Sequence, residues 1–168
     1  MKKIAQFQKV SLKQYIADMS KNFNFNEEQL KVFHENTLLP KRATIGSAGY
    51  DFKIPFSIEL KPNETLKIPT GIRVKMEQNY VLLLLPRSGL GFKYRMQLDN
   101  TVGVIDSDYY NSDNEGHIIL KISNDTKENK TLVLEENKGI CQGIFFEYGI
   151  TIDDDTNEER NGGFGSTN

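Results

Sequence analysis

From Leu39 onward the chain is a succession of short apolar runs closed by Gly, Asn, Asp or Pro: "DFKIPFSIEL", "ETLKIPTGIRVKM", "YVLLLLP", "GHIILKI", "KTLVLEE" and "GIFFEYGITI". Runs of this length, rich in branched and aromatic residues and punctuated by turn formers about every ten residues, fold as strands. They predict a mainly β fold of the sandwich, jelly-roll or barrel kind. No internal repeat is visible, and the sole expected break is "SGLGFKYRMQ", where Ser88 could cap a short helix. The segment before Leu39 has a different texture. "SLKQYIADM" and "NEEQLKVFHEN" space their apolar residues among Lys, Glu and Gln, which predicts two short amphipathic helices with Ser11 and Asn26 as caps.

A chain of 168 residues fits one domain, or one domain with an appendage, and 38% apolar with 10% aromatic residues is a globular composition. The formal charge of −2 supplies no field that would draw nucleic acid or anionic lipid. The basic start "MKKIAQFQKV" leads into no signal-peptide-like apolar stretch, and the run Val81 to Leu85 is too short to span a bilayer, so a cytoplasmic location with no membrane contact is expected. Cys141 is alone and excludes an internal disulfide; with only His34 and His117 beside it, no familiar zinc site can assemble. The tail "DDDTNEERNGGFGSTN" reads as disordered by composition, yet Phe164 stands alone between glycines, as in an arm that orders over a ligand.

Five stretches can carry chemistry. "PRSGLG" follows "VLLLL", so Arg87 and Ser88 fall where a strand hands over to a helix, either as an anion site or as a plain cap with a surface arginine. "SAGYDF" puts Asp51 at the edge of a strand, where turn capping is the default. "NKGICQGIF" puts the Gln142 amide among apolar residues, where it needs a partner. "NGGFGST" could wrap a phosphate with backbone N–H groups and hydroxyls. "GVIDSDYYNSDNEGHI" places Asp106 at the mouth of a strand and Asp108, Asp113 and Glu115 toward an expected hairpin tip. Its spacing does not make a calcium loop, since tyrosine stands where ligands are needed and no glycine occupies the sixth position.

In order, "AGYDF", "PRSGL", "NTVGVIDSDY", "ICQ" and "GGFGST" resemble the five motifs of the homotrimeric dUTPase family, and the resemblance runs from Leu39 to Asn168. It implies a jelly-roll-like antiparallel β-clip body over residues 39–152, an N-terminal extension of strand and helices over 1–38, and a C-terminal arm over 153–168. The start "KIAQFQKV" is similar to the extended variety found in low-GC Gram-positive bacteria and their phages. The implied reaction is hydrolysis of dUTP to dUMP and pyrophosphate in active sites shared among three subunits. Asp106 would be the general base, and Mg²⁺ would be held by the nucleotide and water, with Asp51 reached through a water. Arg87, Ser88, Gly89 and Gln142 would face the phosphates. Asn100 and Gly103 would stand at the base pocket, and Tyr109 would lie beneath the deoxyribose. Phe164 would stack on the uracil, with Arg160, Gly165, Ser166 and Thr167 on the γ-phosphate side.

Three departures accompany the resemblance: "DYYNSDNEG" is longer than the "DYRGE" turn of many relatives, Gly139 stands where many carry an arginine, and Arg160 lies closer to the double glycine than usual. The rival readings are a dCTP deaminase-like enzyme on the same fold and a regulatory, protein-binding member, which if phage-encoded would contact its partner through the N-terminal helices.

Overall fold

The computed structural model describes residues 1–158 and residue 160. The chain begins with β1 (Ala5–Lys9), α1 (Leu12–Met19) and α2 (Glu27–Asn36), then enters β2 (Lys41–Arg42), β3 (Tyr50–Lys53) and β4 (Ile58–Leu60). It continues through β5 (Thr65–Pro69), β6 (Ile72–Met76), β7 (Tyr80–Pro86), α3 (Ser88–Tyr94), β8 (Met96–Leu98) and β9 (Gly103–Ile105). After a 3₁₀ turn at Ser107–Asn111 come β10 (Ile119–Asn124), β11 (Leu132–Leu134) and β12 (Gly139–Glu147).

The strands form a five-stranded sheet in the order β2-β3-β12-β7-β9, a three-stranded sheet β5-β10-β8, and the pairs β1-β6 and β11-β4. Every pairing is antiparallel, so the mainly β, antiparallel fold class expected from the sequence is the one observed. The run "YVLLLLP" forms β7, an interior strand hydrogen-bonded to β12 on one side and to β9 on the other, with Leu82 and Leu84 buried in the core.

The N-terminal helices form where the periodicity places them. The Ser11 side chain accepts from the Gln14 N–H at 3.1 Å. Asn26 and Gln29 exchange the two bonds of a capping box, at 2.9 and 3.0 Å. Val10, Tyr15, Met19 and Leu30 join Ile68, Ile72 and Ile118 in one buried core, so the extension is packed into the body. Phe7 on β1 sets its ring 5.3 Å from Tyr50 and 5.6 Å from Phe52. Phe23, Phe25 and Phe33 gather around Phe56 of the body at centroid spacings of 5.2 to 5.5 Å. Full burial of such a ring contributes about 1.5–3 kcal/mol, and the extension's phenylalanines are partly buried, so several together supply what local helix propensity does not for helices of 8 and 10 residues.

Two sequence expectations are overturned. Ser88 does not cap α3: the helix begins at Ser88, Arg87 holds the cap position, and no side chain caps it. The stretch from Gly103 to Ile118 is not a hairpin. β9 leaves it on the five-stranded sheet while β10 enters between β5 and β8. The residues between them cross from one sheet to the other through the 3₁₀ turn, and much of this connection is buried: Tyr109, Ser112 and His117 are all inside.

Candidate active site

β9 is held to β7 in the register Leu82↔Ile105, Leu83↔Val104 and Leu84↔Gly103, and Asp106 is the first residue past its end. The chain turns at once: the Asp106 carbonyl accepts from the Tyr109 N–H at 3.2 Å, starting the 3₁₀ turn that folds the Tyr109 ring back beneath the strand end. Tyr109 is buried; its hydroxyl donates to the His117 carbonyl at 2.9 Å and accepts from the Asn114 side chain at 2.8 Å. Burial pushes its pKa up, so the phenol is a neutral donor. Above it opens a cavity of about 460 Å³ whose walls include Asn100, Gly103, Asp106, Tyr109, Lys121 and Arg160, a volume within the range of small-ligand pockets. The Asp106 side chain is about half exposed (47%), and Arg160 bridges it and Asp108, with the Asp108 bond at 2.9 Å.

A second group lies at the far end of β7. Asp51 on β3 stands opposite Gln142 on β12, and Cys141 stands opposite Pro86. The Gln142 amide finds its partner in the Pro86 carbonyl, at 3.3 Å. Arg87 Nε lies 3.2 Å from Asp51 Oδ1, so Asp51 is an ion-pair acceptor on a strand and not a turn cap. The Arg87 side chain runs across Gly139, where even a methyl group would lie 2.8 Å from its Cδ. Ser88 and Gly89 open α3 at the surface. Burial, with the Asp51 carboxylate adding to it, pushes the Cys141 thiol well above its ordinary range and leaves it inert.

The sequence-derived residues therefore divide into two sets. Asn100, Gly103, Asp106, Tyr109 and Arg160 share the cavity, while Asp51, Arg87, Ser88, Gly89 and Gln142 gather at the other end of β7. Ile105 pairs with Leu82, five residues from Arg87, and Asp106 lies one residue further on, which separates it from Arg87 by roughly 20 Å at the rise of a strand. Phe164, Gly165, Ser166 and Thr167 lie outside the described residues.

Among the described residues no group of three or more His, Cys, Asp or Glu could hold a metal ion. The donor set fits Mg²⁺ in the form it usually takes beside nucleotides, with phosphates and water as the main ligands and one carboxylate nearby. Asp51 has one oxygen on Arg87 and its side chain is partly exposed.

Sequence reasoning missed what lies behind Tyr109. His117 donates from Nδ1 to Asp18 Oδ2 at 2.7 Å and accepts at Nε2 from the Gly71 N–H at 2.8 Å. With one ring nitrogen an acceptor, His117 is a neutral imidazole and its bond to Asp18 is a charge-assisted hydrogen bond. Burial alone would raise the Asp18 carboxyl, but bonds from His117, Gln14 and Lys21 outweigh it and hold the group well below the usual carboxylate range. Glu115 accepts from Ser11 N and Oγ at 2.7 and 2.6 Å. No local signal marks these pairs, since the partners lie 99 and 104 residues apart. The pocket residue Lys121 was also missed; it pairs with Asp99 at 2.9 Å.

Fold and site together define an antiparallel β protein with a small-ligand cleft of about 460 Å³ beside a strand-end carboxylate. The dUTPase family model matches residues 35–168. A deoxyuridine 5'-triphosphate nucleotidohydrolase of Lactococcus lactis subsp. lactis (strain IL1403) is 43% identical over 133 residues, covering 77% of this chain and 87% of the relative. The chain belongs to the dUTPase family. The crystal structure of dUTPase from Streptococcus mutans superposes with a TM-score of 0.64 at 34% identity, covering 88% of this chain and 98% of that one. A mutant dUTPase from phage phi11 of S. aureus, described as coordinating a structural Mg(II) ion, has the same fold, with a TM-score of 0.64 at 19% identity over 93% and 98% of the two chains.

Proposed function

We propose that this chain hydrolyses dUTP to dUMP and pyrophosphate, which keeps uracil out of DNA and supplies dUMP for thymidylate synthesis. One observation carries the reading: Asp106, placed by β9 at the wall of a cavity of about 460 Å³, with the buried ring of Tyr109 beside it. A uracil fits between the backbone near Asn100 and Gly103. Main-chain N–H and C=O groups that match uracil are mispaired by cytosine, and a buried polar mismatch discriminates strongly. The deoxyribose rests on Tyr109, which leaves no room for a 2'-hydroxyl.

Asp106 orients a water and accepts its proton as the water oxygen attacks the α-phosphorus and the bond to the leaving pyrophosphate breaks. Arg160 pairs with Asp106 through Oδ2, and the half-exposed carboxylate keeps its other oxygen for the water. The phosphates offer Arg160, and the arm carrying Phe164, Gly165, Ser166 and Thr167, a further anionic partner. Mg²⁺, when bound with the nucleotide, neutralises charge on the phosphates and on the departing pyrophosphate. Asp51 would reach it through a water.

The roughly 20 Å between Asp106 and Arg87 exceeds what one nucleotide triphosphate bridges compactly, so a single chain does not complete this site. A homotrimer does, with Arg87, Ser88, Gly89 and Gln142 of a neighbouring subunit meeting the phosphates of a nucleotide held at Asp106. The accompanying organisation is a β body of residues 39–152 with an extension before it and an arm after it. No helix among the described residues is long and apolar enough to cross a membrane.

Pyrophosphate and ammonia release from dUTP, dCTP, dTTP and UTP, assayed side by side with Mg²⁺, tests the proposal. Pyrophosphate from dUTP alone is expected, with Asp106→Asn slower by about 100-fold or more while its melting temperature is retained. Ammonia from dCTP would make the protein a deaminase, and an inert wild-type protein would end the hydrolase reading.

A further inference from the structure

We infer that the N-terminal extension takes part in substrate selection: Asp18, acting through His117, positions the Tyr109 hydroxyl and thereby sets discrimination between deoxyribose and ribose. The inference rests on the reading that Tyr109 floors the sugar. Asp18 and His117 are positioning residues, since neither borders the cavity.

A continuous path of hydrogen bonds connects α1 to the cavity. The Asp18 carboxylate, with 6% of its side chain exposed, is oriented by Gln14 Nε2 at 2.8 Å and Lys21 Nζ at 3.1 Å. It accepts from His117 Nδ1 at 2.7 Å, and the opposite ring nitrogen accepts from the Gly71 N–H at 2.8 Å, so the fully buried imidazole is pinned at both ends. The carbonyl of the same residue accepts the Tyr109 hydroxyl at 2.9 Å, and Asn114 donates to that hydroxyl at 2.8 Å. Removing the carboxylate frees one edge of the imidazole, lets the residue-117 backbone shift, and unfastens the tip of the tyrosine whose ring borders the sugar.

The arrangement answers a specific problem of this chain. The connection from Asp106 to β10 is long, and a long connection leaves the residues after the carboxylate free to wander unless something holds them. The extension holds them at separate points. Ser11 binds Glu115 at 2.6 and 2.7 Å, Gln8 accepts from the Tyr110 hydroxyl at 2.8 Å, and Asp18 binds His117. Of these tethers, the one through Asp18 ends on the residue that carries Tyr109's acceptor.

The test compares kcat/KM for dUTP and UTP, by pyrophosphate release, in the full-length wild type, Asp18→Ala, Asp18→Asn, Tyr109→Phe, the Asp18→Ala/Tyr109→Phe double variant and Met19→Ala, with a melting curve for each. The dUTP-over-UTP ratio is expected to fall about tenfold in Asp18→Ala, the effect of one lost hydrogen bond. Asp18→Asn should restore most of it, because an amide oxygen still accepts from His117. Tyr109→Phe should reproduce the loss, and adding Asp18→Ala to it should change the ratio no further, as expected of two groups on one path. Met19→Ala, a buried neighbour outside the path, should lower the melting temperature and leave the ratio alone. A wild-type ratio in Asp18→Ala, an equal shift in Met19→Ala, or additive effects in the double variant would each overturn the relay. A wild-type protein inert toward dUTP would instead remove the activity on which it rests, a result visible before any variant is made.

Discussion

Replacing Gly139 by alanine puts a methyl group 2.8 Å from Cδ and 2.9 Å from Cζ of Arg87, with Nη1 closer still. Side chains do not sit that close, so one of the two must move. The Arg87 side chain is flexible and 43% exposed, whereas Gly139 is fixed in β12 against β3, so the arginine swings away and its 3.2 Å ion pair with Asp51 is lost. Partly exposed pairs of this kind contribute about 0–1 kcal/mol. Replacing glycine by alanine in a strand returns about as much by restricting the unfolded chain, so the melting temperature is expected to move by no more than about 2–4 °C. Activity should respond far more. An arginine no longer aimed at a phosphate forfeits a charge-assisted bond of about 1.5–3 kcal/mol, which is roughly 10- to 100-fold in kcat/KM. Melting curves and pyrophosphate release on the same preparation separate the two effects, and Arg87→Ala should match the activity loss. An unchanged kcat/KM in Gly139→Ala would refute the argument, because it would mean that Arg87 serves the reaction from another position or not at all. The arginine that many relatives carry at this place is expected to be no better tolerated here, since its Cβ meets the same obstacle.

Acid should loosen the extension. Burial opposes it, but hydrogen bonds hold Asp18 and Glu115 below their ordinary values; depressed carboxyls contribute stability above about pH 4 that is lost as pH falls through the folded-state values. Urea midpoints followed from pH 7 to pH 2.5 should drop steeply at the acid end for wild type and less steeply for Asp18→Asn, and identical slopes would remove Asp18 from the account. Gly116→Ala should destabilise by at least about 1 kcal/mol, since φ is +68° and a Cβ there would lie 2.6 Å from the Tyr109 carbonyl. A melting curve equal to wild type would show that the connection after Asp106 relaxes freely.

Much of the site was legible because its signals are local. Asp106 follows an apolar run, so a strand end could be read directly; Arg87 follows another. What the run could not say was which strand β9 would pair with, and the expected hairpin gave way to a crossover in which β9 joins β7 and β10 joins β5 and β8. A hairpin is the shortest closure, but β9 takes the free edge of β7 beside the buried Leu82 and Leu84 instead. Ser88 looked like a cap by residue type alone, yet cap position depends on the backbone angle at which Pro86 and Arg87 leave the strand. Asp51 and Gln142 each looked explicable by themselves, and only register brings them opposite each other beside Arg87.

By itself the sequence determined the element types, the capped helices at Ser11 and Asn26, and the family motifs, because periodicity and capping act over three or four residues. Tertiary structure alone decided that Asp18 would meet His117 across 99 residues, that Gly139 would clear a path for Arg87, and that Asp106 and Arg87 would stand at opposite ends of one strand. Those choices are made by burial and pairing between distant segments. No stretch of chain encodes them until the whole core has closed.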